Sequence, residues 1–476
     1  MARFSDEIRL ATTVTGTPDR PAGSWVTVNR ERMKKGPLYV RGRQGEGKSA
    51  TVLLPLAIER MRPYTIYDRS SSGVSTIVEE NCRDAQLIID PGGDLGLYNG
   101  LKYAAKKNQR PFYWLSIDPK HDTYHINIVK RMADTDIRWA TGIVTALGLD
   151  YGLGYGKLHY SLRPYDALLP VAEKLFKTNG EATIDDVIRQ LKLQSGRDIE
   201  DICTLFEILS CYPQLYPASD PDRNMDLFDA IEKRAVIYVH APTEDESIPA
   251  RCIIGLIIEC FKSAAAERYR RGMPKVHCWV SIDEFHEVVG RSLAATIAQC
   301  RKRGISLDLL HQFSGQLISR DIDLRPIVRE SSVVKVYFSF SADDIDDEIL
   351  AFSKDDHIWR RTVGELGDGS VHEHVEPLAK KDVVLDVHGT HRQCLVSIDD
   401  GCGFREAYRA QTQYVFDEAT YDMFASTPIP MCLASTPEVT IHPMTEVRAQ
   451  RMQVVKSILD KRRAVLDPFG FAGKGQ

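Results

Sequence analysis

The sequence predicts an α/β fold: a mainly parallel sheet covered by helices, with an all-helical stretch inserted into it. Three observations carry this. Short apolar runs alternate with helical segments along most of the 476 residues, the pattern of a parallel sheet covered on both faces. The strand-like runs vanish from Val129 to Asp222, where only helical spacing remains. The first firm run, Leu38-Tyr39-Val40, enters a glycine-rich loop that opens an apolar helix.

Taken in order, residues 1–36 carry no strong period, and the turn chemistry of Thr17 to Gly23 suggests an arm. Pro37 to Ser49 reads PLYVRGRQGEGKS, and the apolar run Ala50 to Ile58 follows. Arg69 to Gly73 is a turn, and Val74 to Asn81 is compatible with a helix. Gln86 to Asp90 is a buried strand stopped by Pro91-Gly92-Gly93-Asp94, and Leu95 to Lys107 is helical. Phe112 to Asp118 is a strand stopped by Pro119. Inside the helical stretch the clearest segments are Tyr165 to Phe176, Ile184 to Leu193 and Ile199 to Leu209.

The alternation then resumes. Helices are expected at Asp226 to Glu232, Pro249 to Arg271 and Arg291 to Arg303. Strands are expected at Ala235 to His240, Val276 to Asp283, Leu307 to Gln312, Val333 to Phe340 and Cys394 to Ile398. Ser341 begins a helix with capping-box spacing, so the acidic run Asp343 to Glu348 reads as a helix N-terminus. The tail from Val415 is dotted with prolines and ends in a helix, Thr445 to Leu466.

Composition narrows the function. Lys+Arg number 61 and Asp+Glu 66, a net charge of −5, so nucleic acid would have to be met by a local patch or an oligomeric channel. The ten cysteines show no C-x-x-C pair and several sit in apolar runs, as buried reduced thiols do in a cytoplasmic protein. The longest apolar stretch, Cys252 to Cys260, is far short of the roughly 20 residues a membrane span needs. A cytoplasmic chain, at most peripheral to a membrane complex, is expected.

The chemistry begins at the loop. Gly42, Gly45, Glu46, Gly47, Lys48, Ser49 and Ala50 give G-x-x-x-x-G-K-S between strand and helix. Such a loop wraps a nucleoside triphosphate: its N–H groups turn inward, the lysine reaches the β- and γ-phosphates, and the serine holds Mg²⁺. A second acid for the metal is expected at an apolar strand's end, and Asp283 closes VHCWVSID. Glu284 follows, placed to deprotonate an attacking water. Gln312 ends the next strand. A neutral amide there can sense a γ-phosphate, and polar residues also end strands without any such role. Arg301, Lys302 and Arg303 form a cationic cluster that can enter a neighbouring subunit's site; with Gly304 they also satisfy a helix C-terminus. His372 and His374 have no evident third ligand, and Lys106, Lys107 and Arg110 either touch phosphates or are solvated.

Four segments in this order resemble the FtsK/HerA superfamily of ring-forming motor ATPases: GRQGEGKS (42–49), LIIDPGGDL (87–95), VSIDEFHEV (280–288) and RKRGISLDLLHQFSGQL (301–317). Within it they are most similar to the TraG/TraD-type coupling proteins of conjugation and type IV secretion. SSVVKVYFSFSADDIDDEILAF (331–352) resembles the strand and helix that follow in that family. Gly92 stands where the family has lysine and Phe313 where it has serine.

The resemblance implies a RecA-like P-loop NTPase domain over 37–128 and 223–412, an all-α insert over 129–222, an N-terminal arm over 1–36 and a C-terminal extension over 413–476. It implies ATP and Mg²⁺ at Lys48, Ser49 and Asp283, with Glu284 as base, Gln312 as γ-phosphate sensor and Arg301 as arginine finger. It also implies a homohexamer with DNA in its central channel. Since the loop begins so early, either a membrane anchor is a separate chain or this is a soluble relative with another job; with no nuclease or deaminase motif in the sequence, an effector would be a partner protein. Two other expectations stay open: an ATPase acting on protein substrates in a secretion machine, and a nucleotide-gated scaffold in anti-phage defence or a mobile element.

Overall fold

The computed structural model describes residues 2–431 apart from short stretches, the longest being 15–20, 150–157, 341–354 and 378–386. The expected helices at Ser341 and Thr445 lie outside the described residues.

The strands are β1 (Ala2–Phe4), β2 (Glu7–Thr13), β3 (Trp25–Asn29), β4 (Leu38–Arg41), β5 (Tyr64–Arg69) and β6 (Ser75–Cys82). Next come β7 (Ala85–Asp90), β8 (Phe112–Ser116), β9 (Val236–His240), β10 (Cys278–Ile282) and β11 (Ile305–His311). The rest are β12 (Ile318–Ser319), β13 (Ile322–Asp323), β14 (Val334–Tyr337), β15 (Asp355–Val363), β16 (Gly369–Pro377), β17 (Gln393–Asp399) and β18 (Arg405–Gln411). Eleven of them form one sheet in the order β3-β2-β18-β17-β14-β4-β11-β10-β7-β9-β8.

Its centre is parallel. β4 pairs with β14 on one side and β11 on the other, and β10 lies between β11 and β7. Every residue of β4, β7, β10 and β11 is buried, as expected of strands covered on both faces. From β14 outward through β17, β18, β2 and β3 the pairing is antiparallel. The consequence for function is geometric: Gly42, Asp283 and Gln312 all follow the C-terminal ends of neighbouring parallel strands, the usual ligand edge of such sheets.

Two sequence expectations are corrected. Residues 1–36, read as an arm, supply β2 and β3 to the large sheet, where Ile8, Val26 and Val28 are buried. Their alternation is short and broken by a bulge between Arg9 and Ala11, which hid the period. Val74 to Asn81, read as helical, lies largely in β6, which pairs antiparallel with β5; the β-branched Thr76-Ile77-Val78 prefer the pleated backbone.

The chain divides into two compact units. The first comprises Met1–Tyr113, Ala230–Val239 and Arg268–Pro428. The second is built from Trp114–Asp229 and His240–Glu267. All regular elements described between residues 129 and 222 are helical: Asp136–Ala146, Leu158–Phe176, Ile184–Leu191, Arg197–Leu209 and two short 3₁₀ turns. Gly255, on the long helix Ser247–Arg270, passes so close to Ala146 O that a Cβ there would sit 2.3 Å away. Among the described residues, no helix is long and apolar enough to cross a membrane.

Candidate nucleotide site

The loop after β4 is held from beneath. Arg41, almost fully buried, donates from Nε and Nη2 to Ser339 O at 3.0 and 2.9 Å and stacks against Tyr337 and Phe340. Gly42 N donates to His311 O at 3.1 Å, tying the loop to the end of β11. A Cβ on Gly42 would meet Phe338 at 2.9 Å and the Glu46 carboxylate at 2.8 Å, so only glycine fits. Gly47 has φ +97°, a left-handed backbone that glycine adopts without steric cost. The helix then opens with an i→i+5 turn, Leu54 N to Ser49 O, before the regular helix Leu54–Met61.

Lys48 is buried. Its ammonium donates to Gly42 O at 2.8 Å and Arg43 O at 3.2 Å, so it lies across its own loop. Glu46 closes the same loop by accepting from Arg43 N at 2.6 Å. Ser49 Oγ donates to Asp283 Oδ2, across 234 residues of sequence. The hydroxyl and the carboxylate are the hard oxygen donors that Mg²⁺ prefers.

Asp283 is buried at the end of β10. Its pKa is pushed up to about 7, first by burial and then by the neighbouring Asp90 carboxylate. The donor pair Ser49–Asp283, a hydroxyl beside a buried carboxylate, fits a divalent ion. Asp90 is also buried, yet it is saturated. It accepts from Gly92 N, Gly93 N and Asp94 N at 2.8–2.9 Å and from the Tyr238 hydroxyl. Gly92, the residue in the place of the family lysine, therefore serves through its backbone.

Glu284 stands at φ +47°, a left-handed conformation rare for a residue with a Cβ. Its Oε1 accepts from Gln312 Nε2 at 3.2 Å and lies 3.9 Å from Lys48 Nζ. Burial raises its pKa, but His286, Lys48 and Gln312 more than offset this and hold it below the ordinary value. The group is therefore a carboxylate at neutral pH, the state a base needs. Beneath it, His311 is buried between Tyr39 and Phe285 and kept neutral by burial.

Lys48, Ser49, Asp283, Glu284 and Gln312 thus come together within one cluster in the first unit. Arg301 does not join it. It is exposed, on the 3₁₀ turn Cys300–Arg303 before β11, whereas Gln312 follows that strand's other end. There it lines a cleft of about 230 Å³ with Lys34, Lys35, Cys300 and Ser331. Arg110, read with Lys106 and Lys107 as a surface cluster, is instead buried. It donates to Arg234 O, Met61 O and Asp84 O and ties strands together. His372 and His374 lie on β16, and their side chains are outside the described residues.

Sequence reasoning assigned no part to Asp90, His286 or Gln316. A signal existed for the first: an acid ending an apolar strand before Gly-Gly-Asp. His286 and Gln316 meet only through the fold.

No family model and no curated protein matches the sequence. Solved structures do match. The unbound bacterial conjugative coupling protein TrwBΔN70 superposes with a TM-score of 0.56 at 17% identity, over 82% of this chain and 87% of that one. The fold is that of TrwB. The plasmid coupling protein TrwB in complex with ADP and Mg²⁺ gives a TM-score of 0.52 at 17% identity, over 87% and 97% of the two chains. VirB4 of Thermoanaerobacter pseudethanolicus gives 0.53 at 13% identity, over 85% and 96%. The chain therefore has the RecA-like P-loop ATPase fold with a mostly parallel sheet.

Proposed function

We propose that this chain is an ATP-driven motor of the coupling-protein type, which hydrolyses ATP at subunit boundaries of a ring and moves DNA through its centre. The observation that carries the reading is the convergence of Lys48, Ser49, Asp283, Glu284 and Gln312 at the C-terminal edge of three adjacent parallel strands. Each supplies one part of phosphoryl transfer to water. Lys48 leaves its backbone carbonyls for the phosphates, and Ser49 with Asp283 holds Mg²⁺, which neutralises phosphate charge. Glu284 takes the proton of the attacking water. Gln312, bonded to Glu284, reports whether a γ-phosphate is present. Residues 37–128 and 223–412 form the motor domain in this reading, and 129–222 its helical insert.

Arg301 fits the same scheme from a neighbouring copy. A seven-residue strand is about 20 Å long, so Arg301 cannot reach the phosphates held by its own loop. It can complete a neighbour's site as an arginine finger, which places ATP between homohexamer subunits. DNA binding in such a channel is electrostatic and needs only a few cations per copy, compatible with a chain of net charge −5.

The test is ATPase rate with and without single- and double-stranded DNA, on material of measured oligomeric state. Magnesium-dependent hydrolysis raised several-fold by DNA is expected. Arg301→Ala should bind ATP normally, hydrolyse little, and regain activity when mixed with Glu284→Gln subunits. Hydrolysis indifferent to DNA would point to protein substrates, and absence of recovery in mixtures would remove the finger from Arg301.

A further inference from the structure

The strongest unassigned feature is the group of side chains behind Glu284. Its second oxygen, Oε2, is buried and has no hydrogen-bond partner of good geometry; the same holds for His286 Nδ1. The two atoms face each other at 3.3 Å. On the far side of the imidazole, His286 Nε2 lies 3.1 Å from Gln316 Nε2. Gln316 is itself fixed: its Oε1 accepts from the backbone N–H groups of Gln312 and Phe313, each at 3.1 Å.

From these contacts, and resting on the hydrolytic reading above, we infer that His286 is a positioning residue for Glu284, with its tautomer set by Gln316. Two backbone donors hold the Gln316 oxygen, so its amide NH₂ must point at the imidazole. An amide NH₂ only donates. His286 Nε2 is therefore the acceptor, and the ring proton sits on Nδ1, the nitrogen 3.3 Å from Glu284 Oε2. Glu287 Oε1 lies 3.3 Å from the same Nε2 and receives no proton from it, because that nitrogen has none to give.

The arrangement matters once nucleotide arrives. Without it, Glu284 is held on Oε1 by Gln312 and Lys48. Both are groups that turn to phosphate when it binds. His286 is the neighbour that does not, so it alone keeps the carboxylate in place for the water. It also links the base to the Gln312 backbone through Gln316. Glu284 sits on strained left-handed backbone, and such a residue needs its side chain held by its surroundings.

Three single variants and one double variant test this. His286→Ala should leave the ATP dissociation constant and KM within twofold while kcat falls roughly thirtyfold, since loss of positioning alone costs one to two orders of magnitude. His286→Asn keeps an N–H donor near Nδ1 and should recover most of that loss. Gln316→Ala should resemble His286→Ala, and the double variant should be no slower than either. A second readout needs no turnover. In ¹⁵N spectra of the nucleotide-free protein at pH 8, the imidazole signals absent from His286→Asn should show Nδ1 protonated and Nε2 bare, and Gln316→Ala should shift them. Unchanged kcat in His286→Ala, additive losses in the double variant, or an Nε2–H tautomer would each overturn the inference. If the wild-type chain hydrolyses no ATP, the hydrolytic reading fails by itself, and the tautomer still decides this one.

Discussion

The two ends of the parallel strands bury carboxylates in equal depth and treat them in opposite ways. At the N-terminal end of β7, Asp84 is 1% exposed. Arg30 and Lys34 lie within 3.5–3.7 Å, and Tyr64 and Trp279 donate to it at 2.7 and 2.9 Å. Burial pushes its pKa up, but the cation of Lys34, then Arg30 and the Tyr64 hydroxyl, more than reverse this and bring it down to about 2. At the C-terminal end of β10, Asp283 is 5% exposed and has its pKa pushed up to about 7. Its hydrogen bonds come from Ser49 and its own following N–H, and Asp90 adds a like charge. The first end is complete as folded. The second keeps a buried carboxylate beside a hydroxyl, a donor pair that suits a divalent ion. Burial alone therefore says little about role; what differs between Asp84 and Asp283 is the company of cations and donors that each carboxylate keeps.

The comparison is broken most strongly at Asp283. Asp283→Asn should lower magnesium-dependent hydrolysis by roughly 10³, in line with the loss of a metal-binding charge at a phosphoryl-transfer site. Its fold, followed by far-UV circular dichroism, should be unchanged. A variant that keeps full activity would return Asp283 to a structural role. At the other end the effects invert. Asp84→Asn leaves Arg30 and Lys34 beside a neutral amide and should cost about 3 kcal/mol of stability in urea titrations. At temperatures where it stays folded, its catalytic rate should match the wild type.

The smallest effect is on pH dependence in magnesium-free buffer. The folded pKa of Asp283, about 7, lies above its ordinary 3.8. The folded chain therefore holds that proton longer, and the contribution to stability is full below pH 3.8 and lost as pH rises towards 7. Asp84 has the opposite sign: its contribution is present above 3.8 and lost as pH falls towards 2. Asp283→Asn should flatten the stability profile between pH 3.8 and about 7 and raise stability at pH 8. Flattening of the acid limb instead would mean that the two groups had been exchanged.

How much of this was legible in the sequence follows from how local each signal is. The loop from Gly42 to Ser49, the helix Leu95–Lys107 and the apolar runs of β7, β9, β10 and β11 are continuous signals, and the fold uses them with shifts of one or two residues. Asp283 and Glu284 were readable because they end a strand. β2 and β3 were not, since β18, which joins β2 to the rest of the sheet, is some 400 residues away and their own alternation is short. Arg110 read as a surface cation because its three carbonyl acceptors come from distant segments. Asp84 was silent for the same reason: its cations arrive from a turn of helix before β4. His286 is two residues from Glu284, but only the fold brings Gln316 behind it.

β11 carries Arg301 before its first residue and Gln312 after its last. It is hydrogen-bonded along both sides, to β4 and β10, and wholly buried. Sliding it would break two ladders at once, so it cannot lengthen, shorten or shear independently of its neighbours. It is a stiff strut. Gln312 and the turn that carries Arg301 are thus tied to opposite ends of one rigidly paired strand.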